Sequence, residues 1–352
     1  MIKARIKVAL NKRGAPSVNA SKDKHYVAGQ EVNIVDLVNG DVVDGIDVWY
    51  KLDNGSFVWS GGVEGITAIQ PQSPLDLPID PELLQWPIEQ YGINDIWKSF
   101  KGNGIKIGIL DTGVQKDHPE LVHSIKLGYN FVGNNDDYDD WDGHGTHCAG
   151  IIASKGLRSV FGVSPNAELY IAKIMNSVNS GIRENVLLGA LDWMVGKVDI
   201  ISISGGIPDD LIKIEQKIDE LTGHQNIVVV AAIGNQGASP DGQYPAKYKA
   251  CISVGAVDIQ GKLWDGTVRY NDLTICAPGV DIKSTWKGSS YTTETGTSMA
   301  TPFVSGIVAL LKQRDPSLNP SKIKNTLFKY SQRKKEGGFS FNLIQPKSTL
   351  QL

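Results

Sequence analysis

Beyond Trp86, five short runs rich in β-branched residues alternate with segments of helical length, and this alternation constrains the fold more than any other feature of the sequence. Largely apolar runs of this kind are typical of strands that are buried within a sheet. Because they alternate with helices, we predict an α/β fold, with a mostly parallel sheet flanked by helices on both faces. Ligands of such folds bind beyond the carboxyl ends of the strands. The runs are residues 105–110, 169–173, 200–203, 227–232 and 251–257.

The first 66 residues have a different pattern, in which short alternating or β-rich runs are separated by turn pairs such as Asn54-Gly55. This pattern predicts a small all-β barrel domain that precedes the α/β domain. The segment 27–65, with aromatic runs at 48–51 and 57–59, resembles the bacterial Src-homology-three-like barrel. The resemblance implies a protein or glycan ligand for this domain.

A proline-rich stretch separates the two patterns. Five prolines fall between Pro71 and Pro87, which disfavours a long helix or a central strand there. The predicted organisation is therefore a barrel at residues 1–66, a linker at 67–87 and an α/β domain at 88–352.

Charge and composition exclude several classes of protein. The formal net charge is −3 at pH 7, so no overall field would recruit nucleic acid or an anionic membrane. No apolar stretch approaches the roughly 20 residues that a membrane span needs. The three cysteines are few, odd in number and without metal-ligand spacing. We therefore expect a cytoplasmic protein, or a secreted one if a leader has been removed.

Two motifs place titratable side chains near the predicted sheet. Asp111 follows the first run, at the carboxyl end of a central strand, although such an aspartate is also a common turn residue. Residues 143–150 read GHGTHCAG, in which small residues let a helix begin tightly while a histidine faces a cleft. His144 and His147 lie near the same helical face, so spacing alone leaves open which of them is functional.

Two further segments carry a serine and an asparagine. Residues 296–302 read GTSMATP and open an apolar helical stretch at 303–311, so Ser298 is expected near a helix amino terminus with Pro302 in the first turn. Residues 231–237 read AAIGNQG, where a strand end runs into Asn235 between glycines. On its own, that segment is equally consistent with a simple loop.

Taken together, the four segments resemble the subtilisin-like (subtilase) family, in which aspartate, histidine and serine follow in this order. The resemblance covers about Trp86 to Tyr330. It implies a serine endopeptidase with a triad of Asp111, His144 and Ser298, and it favours His144 over His147. The Asn235 side chain and the Ser298 backbone N–H would form the oxyanion hole.

The resemblance also implies where a substrate binds. Residues 198–208 resemble the family strand whose open edge pairs with an extended peptide, so a protein or peptide would bind as an added strand. Gly205 stands where the family usually has leucine, which predicts a wider pocket wall. Gln243 stands where glycine is common, so its amide is expected to shorten the pocket or make it polar. The implied substrate-binding residues are Ser204, Gly205, Gly206, Ala232, Gly234 and Gln243.

The chain departs from the family in its metal-binding segments. The helix after the histidine motif lacks the asparagine-rich insertion that binds calcium in many relatives. The acidic loop at residues 134–142 is a candidate for calcium, for attraction of basic substrate residues, or for no ligand at all. The chemistry implied by the triad requires no metal or organic cofactor.

Two alternatives to hydrolysis stay open. The protease-like domain can be a latent or inactive scaffold whose barrel binds a partner, or the same site can act as a peptide ligase. Cys148 is expected beneath the triad, within one helical turn of His144, and not as the nucleophile.

Overall fold

A computed structural model describes residues 2–43, 46–64, 84–157 and 160–352 of the chain. Most of the predicted linker, residues 67–83, therefore lies outside the described residues. The chain divides into two compact units, Met1–Leu77 and Pro78–Leu352. No helix among the described residues is long and apolar enough to cross a membrane.

The amino-terminal unit is an antiparallel sheet with a small apolar core. Its described strands pair in the order β3-β2-β6-β5-β4-β1-β7, so β3 and β7 lie at the two ends of the ladder. A 3-10 helix, Ser60–Gly62, separates β6 from β7. This unit is all-β, as predicted, but closure into a barrel is not established. The strands are β1 Ile2–Ile6, β2 Leu10–Arg13, β3 Lys22–Tyr26, β4 Glu31–Val43, β5 Ile46–Leu52, β6 Phe57–Trp59 and β7 Val63–Glu64.

The carboxy-terminal unit is built on a nine-stranded sheet with the order β17-β18-β14-β13-β12-β11-β8-β10-β9. Every neighbouring pair in it is parallel except β17 and β18, which form an antiparallel hairpin at one edge. Strands β15 and β16 form a separate hairpin. The strands are β8 Lys106–Asp111, β9 Ile125–Asn130, β10 Glu168–Lys173, β11 Ile200–Ile203, β12 Val228–Ala232, β13 Ile252–Val257, β14 Ile275–Pro278, β15 Ile282–Trp286, β16 Ser290–Glu294, β17 Gln332–Glu336 and β18 Phe339–Leu343.

Helices cover both faces of this sheet. Successive residues of a strand point to opposite faces, and in β8 Gly108 lies against Met194 of α4 while Asp111 lies against Gly145 of α3. The predicted α/β fold is therefore confirmed. The helices are α1 Trp86–Gln90, α2 Ile93–Ile96, α3 His144–Ala153, α4 Glu184–Met194, α5 Ile212–Gly223, α6 Thr297–Arg314, α7 Pro320–Lys329 and α8 Pro346–Thr349.

The strand order reverses between β8 and β11, which places a crevice at the carboxyl ends of these two strands. The central strands β11, β12 and β13 are buried along their whole length. Helix α6 is almost entirely buried as well, and its Ser305 hydroxyl donates to the Ser202 hydroxyl of β11 at 2.9 Å. The sheet and α6 thus form a rigid frame for side chains at the crevice.

Candidate active site

Asp111 ends β8, at the edge of the crevice, and its side chain is only 1% exposed. Its Oδ1 atom accepts the backbone N–H of Thr112 at 2.7 Å and lies 2.7 Å from Nδ1 of His144. Hydrogen bonds to a carboxylate are short and strong because the acceptor is charged. Asp111 is therefore placed to fix the orientation of the His144 ring.

His144 is the first residue of α3, and the glycines on either side of it allow the helix to start close to β8. Gly143 has a φ of 115°, and a Cβ there would also meet the Trp286 ring. A Cβ on Gly145 would collide with the carbonyl oxygen of Gly113. Because only glycine fits at both positions, the backbone can bring the His144 ring onto the carboxylate of Asp111.

Burial and charge act on His144 in opposite directions. Burial lowers the pKa of the imidazole. The negative charge of Asp111, the neighbouring Cys148 and the hydrogen bond to Asp111 raise this pKa by more than burial lowers it. The net pKa of His144 lies well above the ordinary value of 6.5. When the neutral ring donates Nδ1–H to Asp111, its Nε2 atom carries a lone pair, as a general base requires.

Ser298 is the second residue of α6, where backbone N–H groups have no partner within the helix. Within the described residues, the N–H of Ser298 donates to no acceptor. The Ser298 hydroxyl donates to the carbonyl oxygen of Ser204 at 2.9 Å, and no hydrogen bond joins it to His144 within the same residues. The direct serine–histidine bond of the triad hypothesis is therefore not formed in this structure.

Cys148 lies beneath the site and contacts both partners. Its sulfur is 3.9 Å from Nδ1 of His144 and 3.6 Å from the carbonyl oxygen of Ser298. Burial raises the pKa of this thiol, which keeps it protonated and a poor nucleophile. One buried sulfur atom thus contacts both the His144 ring and the Ser298 carbonyl.

The expectation that Pro302 lies in the first helical turn is wrong. Helix α6 begins at Thr297, so Pro302 is its sixth residue and lies in the helix interior. Because proline has no N–H, the carbonyl of Ser298, four residues earlier, loses its helical donor. The Ser204 hydroxyl donates to that carbonyl at 2.9 Å, alongside the Cys148 sulfur. The proline is tolerated because side chains from two other segments of the chain replace the missing bond.

Asn235 follows β12 and is held by the start of α6. Its Oδ1 atom accepts the N–H and the hydroxyl of Thr297, at 3.0 and 2.8 Å. With the oxygen fixed in this way, the Nδ2 group faces away from Thr297 as a donor. A Cβ built on Gly296 would lie 3.3 Å from Asn235 Nδ2 and 3.7 Å from the Ser298 nitrogen, so both nitrogens border the same small space.

The residues implied for substrate binding gather around this space. Ser204, Gly205 and Gly206 follow β11, whereas Ala232 ends β12 and Gly234 follows it. Gln243 lies between the two segments. A Cβ on Gly206 would be 2.6 Å from Gln243 Cβ and 2.8 Å from its Oε1, and one on Gly234 would be 3.3 Å from Gln243 Cγ.

Gly205 does not leave an open wall. A Cβ there would lie 3.2 Å from Met175 Cε and 3.3 Å from Ile182 Cδ1, so these side chains already occupy the adjoining space. The widening that we predicted from Gly205 is therefore limited by residues that come from another part of the chain.

His147 has a structural environment. It is buried, and its Nε2 atom lies 3.0 Å from the carbonyl oxygen of Ile282. Burial, and then the charge of His144, lowers the pKa of His147 to about 4, so the ring is neutral at neutral pH. His147 thus contributes packing against β15 and makes no hydrogen bond with Asp111 or Ser298 within the described residues.

Calcium binding at the acidic loop, residues 134–142, stays a prediction, and two of its five aspartates already have partners within the protein. Asp137 pairs with Lys116 at 3.0 Å, and both oxygens of Asp140 accept hydrogen bonds from the protein. Calcium needs six to eight oxygen ligands, and these carboxylates already have other partners. Within the described residues, one set of three His, Cys, Asp or Glu side chains has ligand atoms close enough to share an ion: Asp111, His144 and Cys148.

Sequence reasoning missed Asp140, Thr112 and Thr297. Asp140 is one of five aspartates in the acidic loop, and nothing in the local composition separates this buried residue from the four others, which are less buried. The available signal was its position directly before a glycine-rich helix start, where a carboxylate commonly caps the helix.

Comparisons with known proteins bear on the identity of the chain. The sequence profile of the Subtilase family matches residues 102–343, which is more than half of the chain. An intracellular serine protease from Paenibacillus polymyxa is 36% identical over 287 residues, which cover 76% of this chain and 86% of that protein. Subtilisin DY from Bacillus licheniformis is 37% identical over 235 residues, which cover 65% of this chain and 84% of that protein.

The fold comparison agrees with the sequence comparisons. The crystal structure of a cold adapted subtilisin-like serine proteinase matches with a TM-score of 0.64 and 27% sequence identity, and the match covers 70% of this chain and 89% of that one. The chain belongs to the subtilase family and is a subtilisin-like serine endopeptidase.

Proposed function

We propose that Asp111, His144 and Ser298 are the catalytic triad of this endopeptidase, and that Asn235 and the Ser298 N–H form its oxyanion hole. The observation that carries the proposal is the 2.7 Å contact between His144 Nδ1 and Asp111 Oδ1 beside the unpaired N–H at the start of α6. This arrangement supplies a base, a group that orients the base, and two donors for a developing negative charge.

The first chemical step needs a movement of the nucleophile. The Ser298 hydroxyl turns from the Ser204 carbonyl toward Nε2 of His144, which accepts its proton as the oxygen attacks the substrate carbonyl. Asp111 stabilises the imidazolium that forms. The former carbonyl oxygen becomes negative and receives hydrogen bonds from Asn235 Nδ2 and the Ser298 N–H.

Collapse of the tetrahedral intermediate breaks the peptide bond. His144 returns its proton to the departing amine, and the acyl group stays on Ser298. Water then attacks the acyl-enzyme while His144 takes a proton from it, and collapse of the second intermediate restores the serine and releases the acid. No proton is gained or lost by Asp111 in the cycle.

The substrate is proposed to bind as an added strand along residues 204–206. The backbone of this segment follows directly from the buried strand β11, so it is held rigidly. Extended peptides recognise such edges through main-chain hydrogen bonds, and pockets for alternate side chains give specificity. This mode of binding fits a protein or peptide, which is the kind of substrate that the family acts on.

Gln243 is proposed to close the base of the pocket for the residue on the amino side of the scissile bond. It packs against Gly206 on one side and Gly234 on the other, which leaves room for a small or amide-accepting side chain. Met175 and Ile182 supply an apolar border near Gly205. We therefore expect alanine, serine or a similarly small residue at this position of the substrate.

The domain boundaries at 66/67 and 87/88 and the barrel at residues 1–66 stay proposals. The pairing of β6 and β7 supports a barrel. These strands are joined by the 3-10 helix; β6 pairs with β5 and β2, and β7 pairs with β1, which curls the sheet. Helix α1 begins at Trp86, two residues before the boundary proposed for the peptidase domain. A protein or glycan ligand of the barrel stays a prediction.

A cytoplasmic location is likewise a proposal. The name of the Paenibacillus polymyxa relative, an intracellular serine protease, supports it. Fractionation of the source cells followed by immunoblotting would test it, and recovery of the protein from the medium of intact cells would contradict it.

A fluorophosphonate probe tests the proposed triad, because it reacts with an activated serine and leaves ordinary serines unmodified. We expect labelling of the wild-type chain at Ser298, none in Ser298→Ala, and unchanged labelling in Ser317→Ala, which removes an exposed serine hydroxyl. Peptide mapping of the labelled protein identifies the modified residue. Labelling at another serine, or wild-type peptide hydrolysis by Ser298→Ala, would overturn the proposal.

A further inference from the structure

Asp140 is buried, with only 5% of the residue exposed. Its two carboxylate oxygens accept five hydrogen bonds. Oδ1 accepts the Thr112 hydroxyl at 2.9 Å and the N–H groups of Asp142 and Gly143 at 3.1 and 2.9 Å. Oδ2 accepts the N–H and the hydroxyl of Thr146 at 2.9 and 2.7 Å. Asp140 thus contacts residues on both sides of His144 and the residue next to Asp111.

The Thr112 hydroxyl links Asp140 to the start of α3, because it both donates and accepts a hydrogen bond. It donates to Asp140 and accepts the N–H of Gly145 at 2.9 Å. A third bond, from the N–H of Gln115 to the Thr146 hydroxyl at 3.0 Å, joins the same two segments. The strand end at 111–115 and the helix start at 143–146 are therefore held to each other through a single buried carboxylate and two threonine hydroxyls.

A carboxylate suits this position because every group that faces it is a donor. Three backbone N–H groups and two hydroxyls point at Asp140, and charge-assisted bonds of this kind are stronger than neutral ones. Asparagine would place an NH₂ group against an N–H on one of the two sides. The negative charge also lies at the amino terminus of α3, where a helix favours anions.

We propose that Asp140 is a positioning residue for peptide hydrolysis, which holds the Asp111 carboxylate and the His144 ring at hydrogen-bonding distance through Thr112 and the start of α3. The inference rests on the proposed roles of Asp111 and His144. This role differs from simple capping of α3. A cap only stabilises the helix start, whereas the hydrogen bond between Asp140 and Thr112 joins that start to the end of β8.

The experiment compares Asp140→Asn, Thr112→Val and Thr112→Ser with a matched control, Asp137→Asn. Asp137 is an acid of the same loop that is half exposed and pairs with Lys116. We expect kcat for a short chromogenic peptide to fall about 100-fold in Asp140→Asn and Thr112→Val, because a displacement of about 1 Å at a catalytic group has an effect of this size. KM is expected to stay within about twofold, because no substrate contact is removed.

Thr112→Ser keeps the hydroxyl, so it is expected to retain kcat within about threefold, as is the Asp137→Asn control. The second readout is the low-field proton resonance of the His144–Asp111 hydrogen bond, measured by NMR at a pH below the His144 pKa. It should shift or disappear in Asp140→Asn and Thr112→Val and persist in the two other variants. A role in stability alone would lower the melting temperature without moving this resonance.

Folded Asp140→Asn and Thr112→Val proteins with wild-type kcat and an unchanged low-field resonance would overturn the inference. If Asp140→Asn fails to fold, the contrast between Thr112→Val and Thr112→Ser decides it in the same way. Fluorophosphonate labelling of the wild-type chain is measured first. Absence of labelling at Ser298 in the wild type would refute the proposed triad. Labelling of the wild type together with full activity of Asp140→Asn and Thr112→Val would refute only the role of Asp140.

Discussion

Truncation of Gln243 should change which residue the enzyme accepts on the amino side of the scissile bond. In the structure, the Gln243 side chain spans the space between the Gly206 and Gly234 segments, with atoms 2.6 to 3.3 Å from the positions that a Cβ would take on these glycines. Gln243→Ala removes the distal carbons and the amide. The space between the two segments then opens to a larger apolar side chain.

The expected magnitude follows from the surface that a larger side chain can bury. Full burial of a side chain such as phenylalanine is worth about 1.5–3 kcal/mol relative to its exposure in water. Because 1.4 kcal/mol corresponds to a factor of ten, we expect the ratio of kcat/KM for phenylalanine over alanine at this position to rise about 10- to 150-fold. The alanine substrate itself should change little, because it does not reach the opened space.

A pair of chromogenic tetrapeptides that differ only in this residue provides the assay. Gln216→Ala makes the same truncation on the exposed side of α5 and serves as the control, for which we expect the wild-type ratio. A wild-type enzyme that already prefers phenylalanine strongly over alanine would refute the reasoning. So would a Gln243→Ala enzyme whose ratio equals that of the control.

Asn235→Ala should lower kcat by about 10²–10³ with little change in KM, which is the effect that loss of one oxyanion donor has in a subtilisin; Asn235→Asp, which keeps the shape but loses the donor, should match it in steady-state kinetics. The raised pKa of His144 predicts that kcat/KM rises with pH through an inflection above the ordinary 6.5, because the base must be neutral, and an inflection at or below 6.5 would contradict this. Because the pKa of His144 is raised on folding, the protonated ring stabilises the folded state below about pH 6.5, and this contribution is lost as pH rises through the folded-state pKa. Thermal melts of wild type and His144→Ala across this pH range would detect the loss. Ser204→Ala should lower the free energy of unfolding by about 1–3 kcal/mol, because it removes the main donor to the Ser298 carbonyl. Pro302→Ala in that background restores a helical N–H and should recover part of the loss in denaturant titrations, whereas simple additivity of the two changes would count against this account.

The sheet could be predicted from the sequence because its signal is local. The apolar run at 200–203 is the whole of strand β11. The run at 251–257 is one residue longer than β13 at its start, and the run at 105–110 is offset from β8 by one residue at each end. Each of these strands is buried on both faces, so its composition alone reports its environment. The position of Asp111 at a carboxyl end followed from the same pattern.

The remainder of the site depends on contacts that no local pattern contains. Pro302 reads as a first-turn residue because proline is favoured there, yet α6 begins at Thr297 and the proline is inside it. The wall beside Gly205 is set by Met175 and Ile182, which follow a different strand. Such departures appear only when distant segments meet, so the sequence of either segment alone could not reveal them.

These departures share a physical consequence. The proline inside α6 leaves a carbonyl without its helical donor, and Ser204, which follows β11, supplies one. The carboxylate of Asp140 is buried, and its donors include the hydroxyls of Thr112, just after β8, and Thr146 of α3. In each case a local arrangement that would be unfavourable in an isolated segment is offset by a partner far along the chain. The proposed triad geometry therefore exists only once β8, β11, α3 and α6 have packed together, and a change in any one of these contacts acts on the whole site.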